Sequence, residues 1–158
     1  MGHLATTIWI ICYFAVLIGL AGYGIHRYTM IYLYWKNRRK TPEPLGHFED
    51  LPMVTVQLPI FNELHVVRRL IKAVSNLDYP KDCLQIQILD DSIDETKEIC
   101  EEEYQKLLDS GFDVELIHRK DRVGYKAGAL ENGMESAKGD YIYILDADFV
   151  PDSDVLHK

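Results

Sequence analysis

At 158 residues the chain has room for one domain of modest size beside a short terminal segment. Residues 1–52 hold five Lys/Arg and three Asp/Glu while residues 53–158 hold twelve and twenty-two, so a hydrophobic head of net +2 precedes an acidic body of net −10. Such a body lacks the basic face that nonspecific nucleic-acid binding needs, so an anionic ligand would require a divalent cation as mediator. Cys12, Cys83 and Cys100, with no CxxC pair, support neither a disulfide framework nor a zinc site.

The head comes first. From Leu4 to Ile25 no residue carries a formal charge, about the length that a hydrocarbon core of roughly 30 Å requires of a helix. Only His3 precedes the run, which is too long for a secretory h-region, so the segment is expected to be an uncleaved anchor. Trp9, Tyr28, Tyr32, Tyr34 and Trp35 suit the two interfaces, and Lys36-Asn37-Arg38-Arg39-Lys40 places the N-terminus outside and the body on the cytoplasmic side by the positive-inside tendency. The membrane would be an inner or plasma membrane, or the Golgi in a eukaryote. Residues 1–40 thus form anchor and basic juxtamembrane segment, 41–52 a linker opening on Thr41-Pro42-Glu43-Pro44-Leu45-Gly46, and 53–158 the folded body.

In the body, Met53–Leu58 alternates as a strand that Pro59 ends. Leu64, Val67, Leu70, Ile71, Val74 and Leu77 predict a helix over Glu63–Asn76 with Asn62 as N-cap, and Asp78-Tyr79-Pro80 turns the chain. Leu84–Leu89 is a second strand, stopping at Asp90-Asp91-Ser92. An acid-rich helix opens at Asp94-Glu95 and runs to about Leu108, and Asp113–His118 is a third strand. Ala127, Leu130, Met134 and Ala137 space out a third helix after Gly124. Tyr141–Leu145 is a fourth strand, an apolar run expected to be buried on both faces. Strands alternating with helices imply right-handed βαβ units and a mostly parallel sheet covered on both sides.

In such a sheet the ligand gathers where the strands end, so the segments Pro59–Glu63, Asp90–Asp94, His118–Lys126 and Asp146–Asp148 are expected to converge. Asp146 and Asp148, spaced i, i+2, point the same way if strand geometry persists. Two carboxylates about 4 Å apart at an effective dielectric of about 20 repel by roughly 4 kcal/mol, so unless one is protonated or another cation lies close the pair favours a metal, and hard oxygen ligands suit Mg2+ or Mn2+ bridging to phosphate. Asp90 and Asp91 either cap the next helix with Ser92 and Asp94 or accept hydrogen bonds from a base or ribose; Glu63 is either a first-turn helix charge or part of the same rim. Lys126, after Gly124 at a helix start, could face a diphosphate, with His118 and Arg119 adding charge nearby. Neither GxGxxG nor GxxxxGK[ST] occurs, which argues against dinucleotide and P-loop enzymes.

Four stretches together, Val56-Gln57-Leu58-Pro59-Ile60-Phe61-Asn62-Glu63, Leu89-Asp90-Asp91-Ser92-Ile93-Asp94-Glu95-Thr96, Gly124-Tyr125-Lys126-Ala127-Gly128-Ala129-Leu130 and Leu145-Asp146-Ala147-Asp148-Phe149, resemble the family 2 glycosyltransferases. The similarity is strongest to the membrane-bound cellulose synthase and mannan synthase group, of the plant glucomannan mannosyltransferase type. The resemblance implies an α/β fold of the GT-A type, a partial Rossmann-like nucleotide-diphospho-sugar domain behind an N-terminal transmembrane helix. It implies that Pro59, Phe61 and Glu63 line the nucleotide pocket, that Asp91 with Asp90 holds base or ribose, and that Lys126 lies near the diphosphate. Asp146 would lie near the donor sugar and phosphate and Asp148 on the metal, both acting in catalysis. The implied reaction is inverting transfer of a hexose from UDP-glucose or GDP-mannose to a glycan or lipid acceptor, with Mg2+ or Mn2+ as cofactor. The general base and the Gln-x-x-Arg-Trp acceptor motif lie further along in that family. The sequence stops soon after the fourth strand, so a partial chain holding the donor-binding half is expected. Two alternatives stand beside this: a noncatalytic membrane-anchored nucleotide-sugar-binding subunit, and a haloacid dehalogenase-like phosphatase, whose DxDx[TV] pattern Asp146-Ala147-Asp148-Phe149-Val150 also fits.

Overall fold

The computed structural model describes residues 2–40, 46 and 48–157; residues 41–45 and 47 of the expected linker lie outside the described residues. The chain divides into two compact units, Met1–His47 and Phe48–Lys158. In the first, a single helix, α1 (Gly2–Asn37), extends the expected span at its C-terminal end and buries none of its residues. It is long and apolar enough to cross a membrane. A helix that is apolar all round needs an apolar surrounding, and α1 also meets the polar demand of one, because the hydroxyls of Thr6, Thr7 and Thr29 donate to the carbonyls of Gly2, His3 and Ile25.

The second unit is built on β1 (Val54–Ile60), α2 (Val67–Ser75), β2 (Leu84–Asp90), α3 (Thr96–Asp109), β3 (Asp113–His118), α4 (Tyr125–Met134) and β4 (Tyr141–Ile144), with short 3-10 turns at Lys81–Cys83 and Val155–His157. All four strands are parallel, in the order β3-β2-β1-β4. The chain therefore walks outward from β1 to β3, then crosses back to lay β4 on the other side of β1. That reversal opens a crevice at the carboxyl ends of β1 and β4, where a sheet of this kind takes its ligand.

The two faces of the sheet differ in chemistry. Val54, Val56, Leu58, Leu84, Ile86, Ile88 and Val114 join Leu70, Ile71 and Val74 of α2 and Cys100 and Leu107 of α3 in one apolar core. Each fully buried aliphatic side chain there contributes roughly 1.5–3 kcal/mol. The alternate residues Thr55, Gln57, Gln85 and Gln87 are equally buried but polar, and they face α4. Gln57 Nε2 donates to Gln87 Oε1 at 3.0 Å, Gln87 Nε2 to the Gly133 carbonyl at 2.9 Å, and Thr55 Oγ1 to Gln85 Oε1 at 2.7 Å. α4 is seated by these bonds, and Gly133 lets it sit close: a Cβ there would stand 2.7 Å from Gln57 Nε2.

Several expectations change in detail. α2 begins at Val67 instead of Glu63, because Asn62, with φ 55°, spends its groups elsewhere. Its N–H donates to Ser92 Oγ and its Oδ1 accepts from the Ile93 N–H, both at 3.0 Å, which ties the loop after β1 to the loop after β2. α4 stops at Met134, three residues short of the periodic pattern, where Gln87 and Gln85 take the Ser136 hydroxyl and carbonyl. β4 is not buried on both faces: it is the edge strand of this sheet, and Tyr141 and Ile144 are exposed because α4 lies across β1 and β2.

Candidate functional site

At the β1/β4 crevice an open cleft of about 470 Å³ is lined by Pro59 near the end of β1, Phe61 and Glu63 after it, Asp91 after β2, Arg122 and Lys126 around the start of α4, and Asp146 and Asp148 after β4. All four expected segments therefore meet at one rim, with Ile60, Ala129 and Ala147 as its apolar floor. Of the expected site residues, seven line the cleft and Asp90 does not. Asp90 is buried behind it, where its Oδ1 accepts from the Ser92 N–H at 2.9 Å and its Oδ2 meets His118 Nδ1 at 3.0 Å. It fixes the turn that presents Asp91.

Asp146 and Asp148 lie beyond the last hydrogen-bonded residue of β4, yet the alternation persists. The Leu145 N–H still donates to the Gln57 carbonyl at 3.1 Å, Leu145 and Ala147 point into the core, and both carboxylates face solvent in the cleft. Lys126 Nζ forms an ion pair with Asp146 Oδ1. No group of three or more His, Cys, Asp or Glu side chains able to hold a metal occurs among the described residues. Two carboxylates fit Mg2+ or Mn2+ all the same, since such ions keep waters and complete their shell with substrate phosphate oxygens.

Asp91 is almost fully buried and receives two guanidinium bonds, from Arg119 Nε to Oδ1 at 2.8 Å and from Nη2 to Oδ2 at 2.5 Å. That bidentate bond raises the Arg119 pKa further above the usual range and fixes the carboxylate in place. Arg119 also donates to the carbonyls of Val123 and Tyr125, each at 3.0 Å, and so folds the loop that delivers Lys126. Gly124, φ 73°, and Tyr125, φ 51°, take left-handed conformations there, and a Cβ on Gly124 would lie 3.1 Å from the Gly128 backbone. Sequence reasoning missed Arg122. Its guanidinium lies 3.3 Å from the Phe61 ring centroid and its Nε 3.9 Å from Asp91 Oδ2. The available signal was its position inside a loop already assigned to the rim.

The cleft holds four carboxylates and two cations, with Arg119 behind Asp91. A diphosphate would be repelled there unless a divalent cation entered with it.

Residues 55–158 match the sequence model of the family described as Glycosyl transferase family 2. The chain belongs to that family. This family 2 chain is 40% identical over 141 residues to glucomannan 4-beta-mannosyltransferase 2 of Arabidopsis thaliana, a match covering 82% of the chain and 26% of that protein. It is 42% identical over 146 residues to probable glucomannan 4-beta-mannosyltransferase 2 of Oryza sativa subsp. japonica, covering 88% and 24%. Among solved structures it resembles mannosyltransferase PcManGT from Pyrobaculum calidifontis in complex with GDP-Man and Mn2+, with TM-score 0.67, 27% identity, and coverage of 82% of this chain and 38% of that one. S. aureus TarS 1-349 in complex with UDP, at TM-score 0.59 and 20% identity over 66% of this chain and 30% of that one, shares the fold. The family 2 chain spans about a quarter of the length of these curated relatives. The parallel GT-A architecture implied by the resemblance is thus shown, and membership of this family favours a glycosyltransferase over the phosphatase alternative.

Proposed function

We propose that the chain is the donor-binding part of a membrane-anchored hexosyltransferase that transfers mannose from GDP-mannose, with inversion, to a growing β-glycan. The observation that carries this is the meeting of Asp91, Lys126, Asp146 and Asp148 in one cleft at the crossover of the sheet. The choice of GDP-mannose over UDP-glucose draws on the mannosyltransferase relatives and on the GDP-Man and Mn2+ of the PcManGT structure.

In this reading Asp91, held by Arg119, accepts hydrogen bonds from the base or ribose, and Pro59, Phe61 and Glu63 form the wall beside it. Lys126 and the amino end of α4 supply positive potential for the diphosphate. Asp148 and Asp146 would hold Mg2+ or Mn2+, which when bound offsets the charge that develops on the departing nucleoside diphosphate. Lys126, paired with Asp146, exchanges that carboxylate for a phosphate oxygen when the donor enters. Removing the acceptor proton needs a carboxylate base. In the resembling group that base and the acceptor motif lie further along the sequence than the stretch matched here. α1 anchors the protein, and the basic run at residues 36–40 sets its N-terminus outside and the body on the cytoplasmic side by the positive-inside tendency.

Calorimetric titration of the full chain in detergent with GDP, UDP and their sugars, with and without Mn2+, tests the proposal. Binding of GDP and GDP-mannose is expected only with the metal, and Asp148→Ala is expected to abolish it. Metal-independent binding of equal strength in Asp148→Ala would refute the metal role. Preference for the uridine nucleotides would overturn the donor assignment.

A further inference from the structure

Phe61 lines the cleft, and one face of its ring is already covered by the Arg122 guanidinium, 3.3 Å from the ring centroid. The guanidinium is also 5.2 Å from the Tyr125 ring centroid. Arg122 is held far more loosely than its neighbour. Arg119 makes two hydrogen bonds to Asp91, whereas the 3.9 Å approach of Arg122 Nε to Asp91 Oδ2 is longer than a hydrogen bond. The Arg122 side chain is 37% exposed, so its cation–π contact belongs to the weak, solvated kind.

A planar base and a planar guanidinium compete for one ring face, and both stack on it. A base that takes this face must displace Arg122. The displaced cation then has a better partner within the same cleft, because a bidentate guanidinium–phosphate bond is stronger than an exposed cation–π contact. Lys126, by contrast, is already paired with Asp146.

We propose that Arg122 is a second diphosphate-binding cation, resting on Phe61 until a nucleobase displaces it and then closing on the phosphates. This rests on the reading of the cleft as a nucleotide-sugar site. The arrangement couples two recognition events. The base gains its stacking surface only by releasing Arg122, and the release is rewarded only when a diphosphate follows the base. Nucleosides, which supply a base without an anion, meet the competition without the compensation.

Equilibrium titrations of the full chain in detergent with Mn2+ test this, comparing guanosine and GDP, and uridine and UDP in parallel, across wild type, Arg122→Ala and Arg122→Lys. Arg122→Ala is expected to weaken the nucleoside diphosphate about 10-fold or more, the range for a lost hydrogen bond to a charged group. Nucleoside affinity is expected to stay equal or rise a few-fold, because the ring is freed. Arg122→Lys, which keeps the charge and loses both the planar stack and the bidentate fork, is expected to recover only part of the diphosphate affinity. Wild type that binds a nucleoside diphosphate while Arg122→Ala binds it as tightly would overturn the role of Arg122 alone. Equal loss of nucleoside and diphosphate in Arg122→Ala would overturn it too, since that pattern marks a merely structural residue. Wild type that binds neither diphosphate with Mn2+ overturns the donor-site reading and this inference together.

Discussion

Asp91 shows how one side chain can be both a ligand group and a structural risk. Its carboxylate is 6% exposed and is satisfied mainly by Arg119. Breaking a buried pair from one side costs about 3–5 kcal/mol, because a desolvated charge is left behind. Arg119→Ala is therefore expected to lower stability by about 3 kcal/mol, the nearby Arg122 offsetting the rest, and Asp91→Asn in the same chain is expected to recover part of the loss. Thermal melts followed by near-UV dichroism of the tyrosines check this, and a double variant no better than the single one would contradict it. Cys100 offers a second test. Burial pushes its thiol up to about 12, helped by the charges of Asp90 and Asp94. A thiol whose pKa is raised by folding stabilises the fold fully below its unfolded value, near 8.5, and the contribution fades as pH climbs from there toward 12. Native Cys100 is accordingly expected to resist alkylation at pH 8 while the half-buried Cys83 reacts, with both labelled in denaturant; prompt native labelling of Cys100 would show that the helix α3 face is open. At this scale the sequence showed which residue types crowd the rim and not how they pair. Asp90 and Asp91 are adjacent and chemically identical, and only the turn at Ser92 decides that one faces backward to His118 and the other into the cleft.

The elements followed their hydrophobic spacing where packing is apolar and departed from it where polar bonds set the boundary. α2 and α3 rest on aliphatic residues, and their periodic stripes were readable. α4 rests on glutamines, whose reach across the sheet no periodicity encodes; Gln85 and Gln87 interrupt the apolar run of β2, yet both are fully buried. Gln87 Nε2 donates to the Gly133 carbonyl, Ser136 Oγ and Glu115 Oε2 at 2.9–3.1 Å, and its Oε1 accepts from Gln57. A purely hydrophobic view expects Gln87→Leu to stabilise the unit. The network predicts the reverse, a loss of about 2–3 kcal/mol, because each buried polar group stripped of its partner costs about 1–3 kcal/mol. Gly128 makes a related point about the Lys-Ala-Gly segment. A Cβ there would strike the Val123 carbonyl and come within 2.8 Å of Arg119 Nη1, so the glycine permits the contact between α4 and the loop that carries Arg122.

For the whole molecule the open question is what the apolar head contributes to the acidic body. All groups that line the cleft belong to the unit Phe48–Lys158, and α1 belongs to the unit Met1–His47. The head was legible because length and uniform apolarity are one-dimensional properties; the crossover that makes the cleft was legible only as a class of sheet, since the order β3-β2-β1-β4 is fixed by which strands pair. If α1 spans a bilayer, a charge near its middle should be intolerable. A central Arg costs about 2.5–3.5 kcal/mol on insertion, so Phe14→Arg with Leu17→Arg costs roughly 5–7 kcal/mol, enough to remove most of the chain from the membrane. Wild type is expected to stay in the pellet after alkaline carbonate extraction and the double variant to move to the supernatant. Nucleotide affinity, measured on both proteins in the same detergent, is expected to be unchanged, because no cleft residue has been touched. A double variant that remains with the membrane would assign its attachment to some other surface. One that leaves the membrane and also loses GDP would make the head part of the binding machinery and not its tether alone.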